Sequence, residues 1–207
     1  TPRVFAYIDG LNLYYGAVKK TPYRWLNLKA FVEAILPSIY RIIRVNYYTA
    51  PVSHIVDPGA PKRQKILFDA LKTVPEIEIH KGRMAPRTKR GTLVEPPHTL
   101  VTIRALEEKG SDVNLASHLV RDAFQGSFDV AAVVTNDTDL VEPIRIVTQE
   151  TCLPVILICP NVYARRPVAA SLKEVATEVR RAREGHLVVA QFPDVIPGTN
   201  IKKPSGW

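Results

Sequence analysis

Two segments far apart in the chain, Asp9-Gly10-Leu11-Asn12 and Thr135-Asn136-Asp137-Thr138-Asp139, place carboxylates directly after apolar runs. A third acid, Asp112, follows Gly110 and Ser111 at what reads as a helix start. Acids this far apart in sequence can act together only if the fold gathers them. Two full charges 4 Å apart repel by about 4 kcal/mol at an effective dielectric near 20. Three or four carboxylates in one place therefore hold protons or require a cation. Magnesium or manganese fits, because these ions take hard oxygen ligands: one or two carboxylates, water and the phosphate oxygens of a substrate. Such ions polarise a phosphodiester, activate water and stabilise a leaving oxygen. Asp9, Asp112, Asp137 and Asp139 are thus the candidate metal-binding and catalytic acids. Asn12 can hydrogen-bond an Asp9 oxygen or a metal-bound water, and Thr135 can orient a ligand. Taken singly, each acid is equally a turn residue or helix cap, Asp139 with Glu142 reading as a capping pair. Joint convergence of all four would be harder to explain by capping.

The elements carrying these residues follow from hydrophobic pattern. Residues 4–8 and 128–134 are too apolar to keep one face in water, which predicts parallel strands buried on both sides. Ligands gather beyond the carboxyl ends of such strands. A helix is expected over 11–19, and Asn27 caps a second one with Leu28, Phe31, Val32, Ile35 and Leu36 inward. Strands are expected over 41–49, 100–105 and 155–159, and a half-exposed edge strand over 76–80. Helices are expected over 62–73 and 139–150. A helix capped by Ser111 runs to Phe124, burying Val113, Ala116, Leu119, Val120 and Ala123 and turning Asp122 to solvent. Residues 82–97, basic and then rich in Gly and Pro, read as a mobile loop. Residues 171–183 read as a basic helix and 187–192 as a last strand. Alternating strands and helices imply βαβ units and a parallel sheet covered on both faces.

The chain has 207 residues, 46% hydrophobic and 23% charged, which suits one globular domain. No apolar run approaches the ~20 residues needed to cross a bilayer. The N-terminus lacks a secretory pattern, so the cytoplasm is the expected compartment. Cys152 and Cys159 are expected as reduced, structural thiols at the wrong spacing for a zinc or redox pair. The five histidines, His54, His80, His98, His118 and His186, show no metal-ligand spacing and read as non-catalytic. Tyr14, Tyr15, Tyr23 and Trp25 read as core rather than as base-stacking groups.

A net charge of +8 favours anionic partners, nucleic acid first and acidic membrane second. Lys81, Arg83, Arg87, Lys89 and Arg90 lie in one stretch without an acid, the segment best suited to hold a polyanion. Lys109 reads as neutralising Glu107 or as a phosphate contact. Other basic groups, at 62–65, 165–166, 180–183 and 202–203, read as solvated faces.

The segments Asp9-Gly10-Leu11-Asn12-Leu13-Tyr14, Glu108-Lys109-Gly110-Ser111-Asp112-Val113 and Thr135-Asn136-Asp137-Thr138-Asp139-Leu140 resemble, in order, the three motifs of NYN-domain proteins. These form a branch of the PIN-like nuclease fold, and the likeness runs from Val4 to about Cys159. The resemblance implies a three-layer α/β/α sandwich with a central, mostly parallel sheet, PIN-like and Rossmann-like. Residues 1–160 would form the nuclease core, with 161–207 adding a helix, strand and tail to the same domain. It also implies a divalent-metal-dependent endoribonuclease, with Mg2+ or Mn2+ as cofactor and RNA as partner, single-stranded DNA being the alternative; no membrane partner is expected. Asp9, Asp112, Asp137 and Asp139 fall where the family keeps its metal-binding acids, and Asn12 where it keeps a polar helper. Lys81, Arg83, Arg87, Lys89, Arg90, Lys109 and Thr135 would then contact substrate. One departure is Asn136, where the family often has Gly; its side chain could crowd the site, which motivates an alternative, a non-catalytic nucleic-acid or partner-binding module. A haloacid-dehalogenase-type phosphatase is disfavoured, since Leu11 stands where its second Asp is needed.

Overall fold

The first strand of the computed structural model shows why the sheet forms where it does. Val4, Ala6 and Ile8 pack to one side and Phe5 and Tyr7 to the other, all five buried. The structure describes residues 1–53, 57–163 and 166–207; His54 and Arg165 lie outside the described residues. Among the described residues, eight strands occur in chain order: β1 (Arg3–Asp9), β2 (Arg41–Thr49), β3 (Ile77–Lys81), β4 (Arg83–Thr92), β5 (Leu100–Lys109), β6 (Val130–Val134), β7 (Val155–Cys159) and β8 (Glu178–Arg181). Six of them form one sheet in the order β3-β2-β1-β6-β7-β8, and every neighbouring pair is parallel.

Helices cover both faces. On one side lie α1 (Gly10–Leu13), α2 (Leu28–Ile35) and α3 (Ala60–Leu71), burying Leu13, Phe31, Val32, Phe68 and Leu71. On the other lie α4 (Ser111–Phe124), α5 (Val141–Glu150) and α6 (Ala170–Val175), burying Leu115, Leu119, Ile144, Val147 and Leu172. A last helix, α7 (Glu184–Val189), adds Leu187 to the first of these cores. The three-layer α/β/α architecture is therefore present. No helix among the described residues is long and apolar enough to cross a membrane.

The chain enters the sheet at β1 and moves outward through β2 to β3. It then returns to the opposite side of β1 and moves outward again through β6, β7 and β8. The order reverses between β1 and β6, and that reversal opens a crevice at the carboxyl ends of the strands. Asp9 and Thr135 stand at this point, each at a strand tip.

Several local expectations hold. Asn27 caps α2, its Oδ1 accepting the Lys29 and Ala30 amides at 3.1 and 3.2 Å. β3 is an edge strand. Trp25 is core, its Nε1 donating to the Pro193 carbonyl at 2.9 Å. Both cysteines are free, Cys159 buried and Cys152 exposed.

Four expectations are corrected. The segment read as a mobile loop over 82–97 is mostly β4, paired antiparallel with β5 in a hairpin that, among the described residues, joins no other strand. Lys, Arg, Gly and Pro disfavour strands locally, and opposite charges across the hairpin compensate. Second, Ser111 does not cap α4. Gly110 does, at φ 99°, a left-handed backbone that glycine adopts without strain. The Glu108 carboxylate accepts the Ser111 amide at 3.1 Å instead. Third, the buried face of α4 is centred on Leu115, Leu119 and Asp122, leaving Val113 69% exposed. Asp122 is buried because it accepts the Tyr7 hydroxyl at 2.8 Å and two Arg121 nitrogens at 2.9 and 2.7 Å. Fourth, residues 171–183 split between most of α6 and β8, and of 187–192 the first half ends α7 and none joins a strand, a short apolar run that fits either element.

Candidate functional site

Asp9 ends β1 and caps α1, so its carboxylate lies where the chain turns from strand to helix. It is buried and accepts three hydrogen bonds. Oδ1 takes the Asn12 amide at 3.0 Å; Oδ2 takes the Asn12 side-chain Nδ2 at 2.7 Å and the Thr135 hydroxyl at 3.0 Å. Burial pushes the Asp9 pKa up, the hydrogen bonds from Asn12 and Thr135 oppose this, and the Asp137 charge adds to it. Asn12 extends the network: its Oδ1 accepts the Asn136 amide at 3.2 Å.

Thr135, fully buried after β6, serves both sides. Its hydroxyl oxygen also accepts the Asp137 amide at 3.0 Å. Asp137 in turn caps a short 3-10 turn (Thr138–Leu140), its Oδ1 accepting the Asp139 amide at 3.0 Å. Asp9, Asn12, Thr135, Asp137 and the backbone of Asp139 thus form one connected chain of hydrogen bonds. The capping pair expected between Asp139 and Glu142 does not form; Asp137 is the cap, and Glu142 pairs with Arg145.

Asp112 approaches from the first turn of α4, where the helix dipole favours a negative charge. Its carboxyl is nevertheless pushed up to about 6, by burial first and then by the charges of Asp9, Glu108, Asp137 and Asp139. The four acids are therefore electrostatic neighbours at one edge of the sheet. Among the described residues, the side chains of Asp112 and Asp139 have no hydrogen-bond or ion-pair partner. No three acidic, histidine or cysteine side chains among the described residues stand close enough to cage a metal by themselves. This donor set suits an ion that takes few carboxylates and fills its shell with water and substrate oxygens, as Mg2+ and Mn2+ do. It does not suit a closed structural zinc site.

Asn136 does not crowd these acids. Its Nδ2 donates to the Pro167 carbonyl at 3.1 Å and its Oδ1 accepts the Ala169 amide at 2.9 Å, tying the side chain to the segment before α6. Its backbone φ is negative, so the position does not require glycine.

The basic residues separate into different places. Arg83, Arg87 and Lys89 alternate along β4 and share one face of the hairpin with Lys109, Glu107 and Ile103. Arg90 lies on the opposite face, opposite Thr102. Glu107 gathers Arg87, Lys89 and Lys109, the Lys109 pair at 3.0 Å, and Lys89 and Lys109 hold its carboxyl down at about 2. Lys81 is on β3, with Nζ 4.9 Å from the centre of the Phe68 ring. The hairpin springs from the end of β3 and runs back into α4 immediately before Asp112, so its root adjoins the acids.

Two features escaped the sequence reading. Tyr14 and Tyr15 are not core: they stand exposed on a π-helical turn (Tyr14–Val18) that continues α1. Tyr48, His80 and His118 form a ring cluster under α4. His80 stacks on Tyr48 at 4.7 Å, and the Tyr48 hydroxyl lies 3.0 Å from His118 Nδ1. The sequence marked 41–49 only as a strand, and nothing local marked the histidines.

Comparison with known proteins adds three findings. A model of the NYN domain family matches residues 3–181. A protein of Pseudomonas putida (strain DSM 28022 / S16), named 6-hydroxy-3-succinoylpyridine 3-monooxygenase HspA, is 32% identical over 234 aligned positions, covering 99% of this chain and 75% of the relative. A crystal structure of a protein of unknown function, VPA0982 from Vibrio parahaemolyticus RIMD 2210633, matches 88% of this chain and 94% of its own. The TM-score is 0.56 at 14% identity, a likeness of fold alone.

Proposed function

We propose that this chain, which belongs to the NYN domain family, is a divalent-metal-dependent endoribonuclease. The observation that carries the reading is the pairing of two unpartnered carboxylates, Asp112 and Asp139, with the hydrogen-bonded Asp9–Asp137 network where the strand order reverses. Unpaired neighbouring acids raise one another's proton affinity, and a cation removes that penalty. Asp9, Asp112, Asp137 and Asp139 would hold Mg2+ or Mn2+, which when bound supplies charge to a phosphodiester and lowers the pKa of water.

The chain's own residues do the rest. Asn12 and Thr135 fix both oxygens of Asp9 in direction, and Thr135 also fixes the Asp137 backbone. The hairpin face bearing Arg83, Arg87, Lys89 and Lys109 holds the phosphate backbone without reading sequence. With Asn136 bonded to residues 167 and 169, the feature that favoured a non-catalytic module points away from the acids.

The test is incubation with labelled single- and double-stranded RNA and DNA, in Mg2+ or Mn2+ against EDTA, for the parent and Asp112→Asn. Metal-dependent RNA cleavage lost in the variant supports the reading. Equal cleavage by parent and variant after metal is stripped and restored ends it.

A second reading is favoured by the 32% identical relative, whose name describes a monooxygenase acting on 6-hydroxy-3-succinoylpyridine. On that reading the same crevice would take a small hydroxypyridine. Oxygen uptake that depends on this compound and on an added two-electron donor, with no cleavage of any nucleic acid, would select it.

A further inference from the structure

Next to the carboxylates, and sharing Asn12 with them, a cleft of about 590 Å3 opens between the first helical turns and the chain that follows β7. Its lining is Leu11, Asn12, Tyr15, Gly16, Asn161 and Arg166. The far wall is held close. The Val162 amide donates to the Gly16 carbonyl at 3.0 Å, and a Cβ on residue 16 would stand 2.9 Å from Asn161 Oδ1 and 3.0 Å from the Pro160 carbonyl. Glycine is what lets the wall approach. Asn161 Nδ2 in turn donates to the Arg166 carbonyl at 3.4 Å.

The near wall is unusual in a different way. The helix widens into a π turn, a form that recurs at functional sites. Tyr15 on this turn is 62% exposed, with Tyr14 edge-on at 5.2 Å between ring centres and Lys19 Nζ 4.4 Å from the Tyr15 ring centre. Lys19 lies over one face of this ring, and the face it leaves open is a surface on which a flat heteroaromatic ring can stack. Arg166 is exposed and has no carboxylate partner among the described residues. A planar guanidinium at that position suits a phosphate oxygen pair. Asn12, bonded to Asp9 and to the Asn136 amide, is the wall common to cleft and carboxylates.

We propose that this cleft is a nucleobase subsite. An unpaired base stacks on Tyr15, its phosphate meets Arg166, and the next phosphodiester reaches the acids. The substrate class is then single-stranded polynucleotide, or a loop with an unstacked base, because paired bases in an A-form duplex cannot enter a side cleft. Stacking accepts every base, so sequence preference is weak. What the subsite feeds rests on the phosphodiester reading above; binding in the cleft does not.

The two are separated by a binding experiment in EDTA, where no cleavage occurs. The full chain is titrated into a single-stranded oligoribonucleotide containing 2-aminopurine, and into its duplex. Parent, Tyr15→Phe, Tyr15→Ala and Arg166→Ala are compared, with free pyridine-3-carboxylate as competitor. The expected result is quenching of the single strand by the parent, kept in Tyr15→Phe, weakened about tenfold in Tyr15→Ala and less in Arg166→Ala, with no quenching of the duplex. Equal quenching by Tyr15→Ala, equal quenching of the duplex, or displacement by pyridine-3-carboxylate at concentrations where a nucleoside monophosphate does not compete, overturns the proposal. Tyr15-dependent quenching without cleavage in any metal keeps the subsite and sinks the nuclease. Metal-dependent cleavage with unchanged quenching in Tyr15→Ala does the reverse.

Discussion

The hydroxyl of Thr135 donates to Oδ2 of Asp9 at 3.0 Å, tying the tip of β6 to the tip of β1 inside the protein. Its oxygen also accepts the Asp137 amide. One buried side chain therefore sets both the direction of the Asp9 carboxylate and the course of the loop that carries Asp137. Thr135→Val keeps the shape, removes one donor from Asp9 and orphans the Asp137 amide. A loss of about 1–3 kcal/mol is expected, read by urea denaturation, with Thr135→Ser recovering most of it. A midpoint unchanged in Thr135→Val would mean that the network holds nothing.

Relief of repulsion alone would make Asp9→Asn as stable as the parent. The three donors around Asp9 reverse that expectation, since an amide offers one acceptor where the carboxylate serves three bonds. Asp9→Asn should therefore melt below the parent, and Asp112→Asn, whose carboxylate has no partner to lose, above it.

The pH dependence of that second effect has a definite sign. Asp112 titrates near 6 in the fold against 3.8 ordinarily, burial being the first cause. An acid with a raised folded-state pKa holds its proton more tightly when folded. It thus removes stability as pH rises from about 4 to about 6, and the loss stays constant above. Asp112→Asn should match the parent near pH 4 and exceed it by on the order of 1 kcal/mol at pH 7, allowing for partial exposure. That is about 2–4 °C for a chain of this size. Millimolar Mg2+ should shrink or invert the difference. A difference between variant and parent that is the same at both pH values would show that neither burial nor neighbouring charge raises the Asp112 pKa.

Glu107 occupies three of the hairpin's cations. Glu107→Gln should free them, tightening RNA binding and steepening its salt dependence. Arg87→Ala with Lys89→Ala should weaken binding and flatten the slope by about 0.7 for each phosphate no longer neutralised. Binding isotherms at several salt concentrations measure both. Opposite or absent changes would place the RNA elsewhere.

Tyr7→Phe should leave buried Asp122 short of one donor, at a cost of about 1–3 kcal/mol. Cleavage per folded molecule should be unchanged, because Tyr7 and Asp122 lie away from the acids' network. Selective loss of activity at full stability would give the pair a part in function.

The parallel core was legible because β1, β6 and β7 bury both faces, which leaves continuous apolar runs in the sequence. The placement of Asp9 and Asp137 was legible because a strand tip is a fixed address in such a fold. What failed was anything decided at long range. β4 forms from poor strand residues because Glu107 answers Arg87 and Lys89 from the other strand. The phase of α4 is set by Asp122, acceptable inside only because Tyr7 and Arg121 are there. The exposure of Tyr15 depends on a widened helical turn that no pattern of hydrophobicity encodes.

Arg83 and Lys109 stand opposite each other at the base of the hairpin. The chain therefore leaves and re-enters the body through a gap of about one strand spacing, roughly 5 Å. A tight turn could bridge that gap in place of the whole arm, leaving β3 and α4 where they are. On the nuclease reading, grip and scission would then meet at a single socket, and a lineage that lengthens, shortens or exchanges the arm would retune which polyanions it captures without disturbing the sheet that carries the acids.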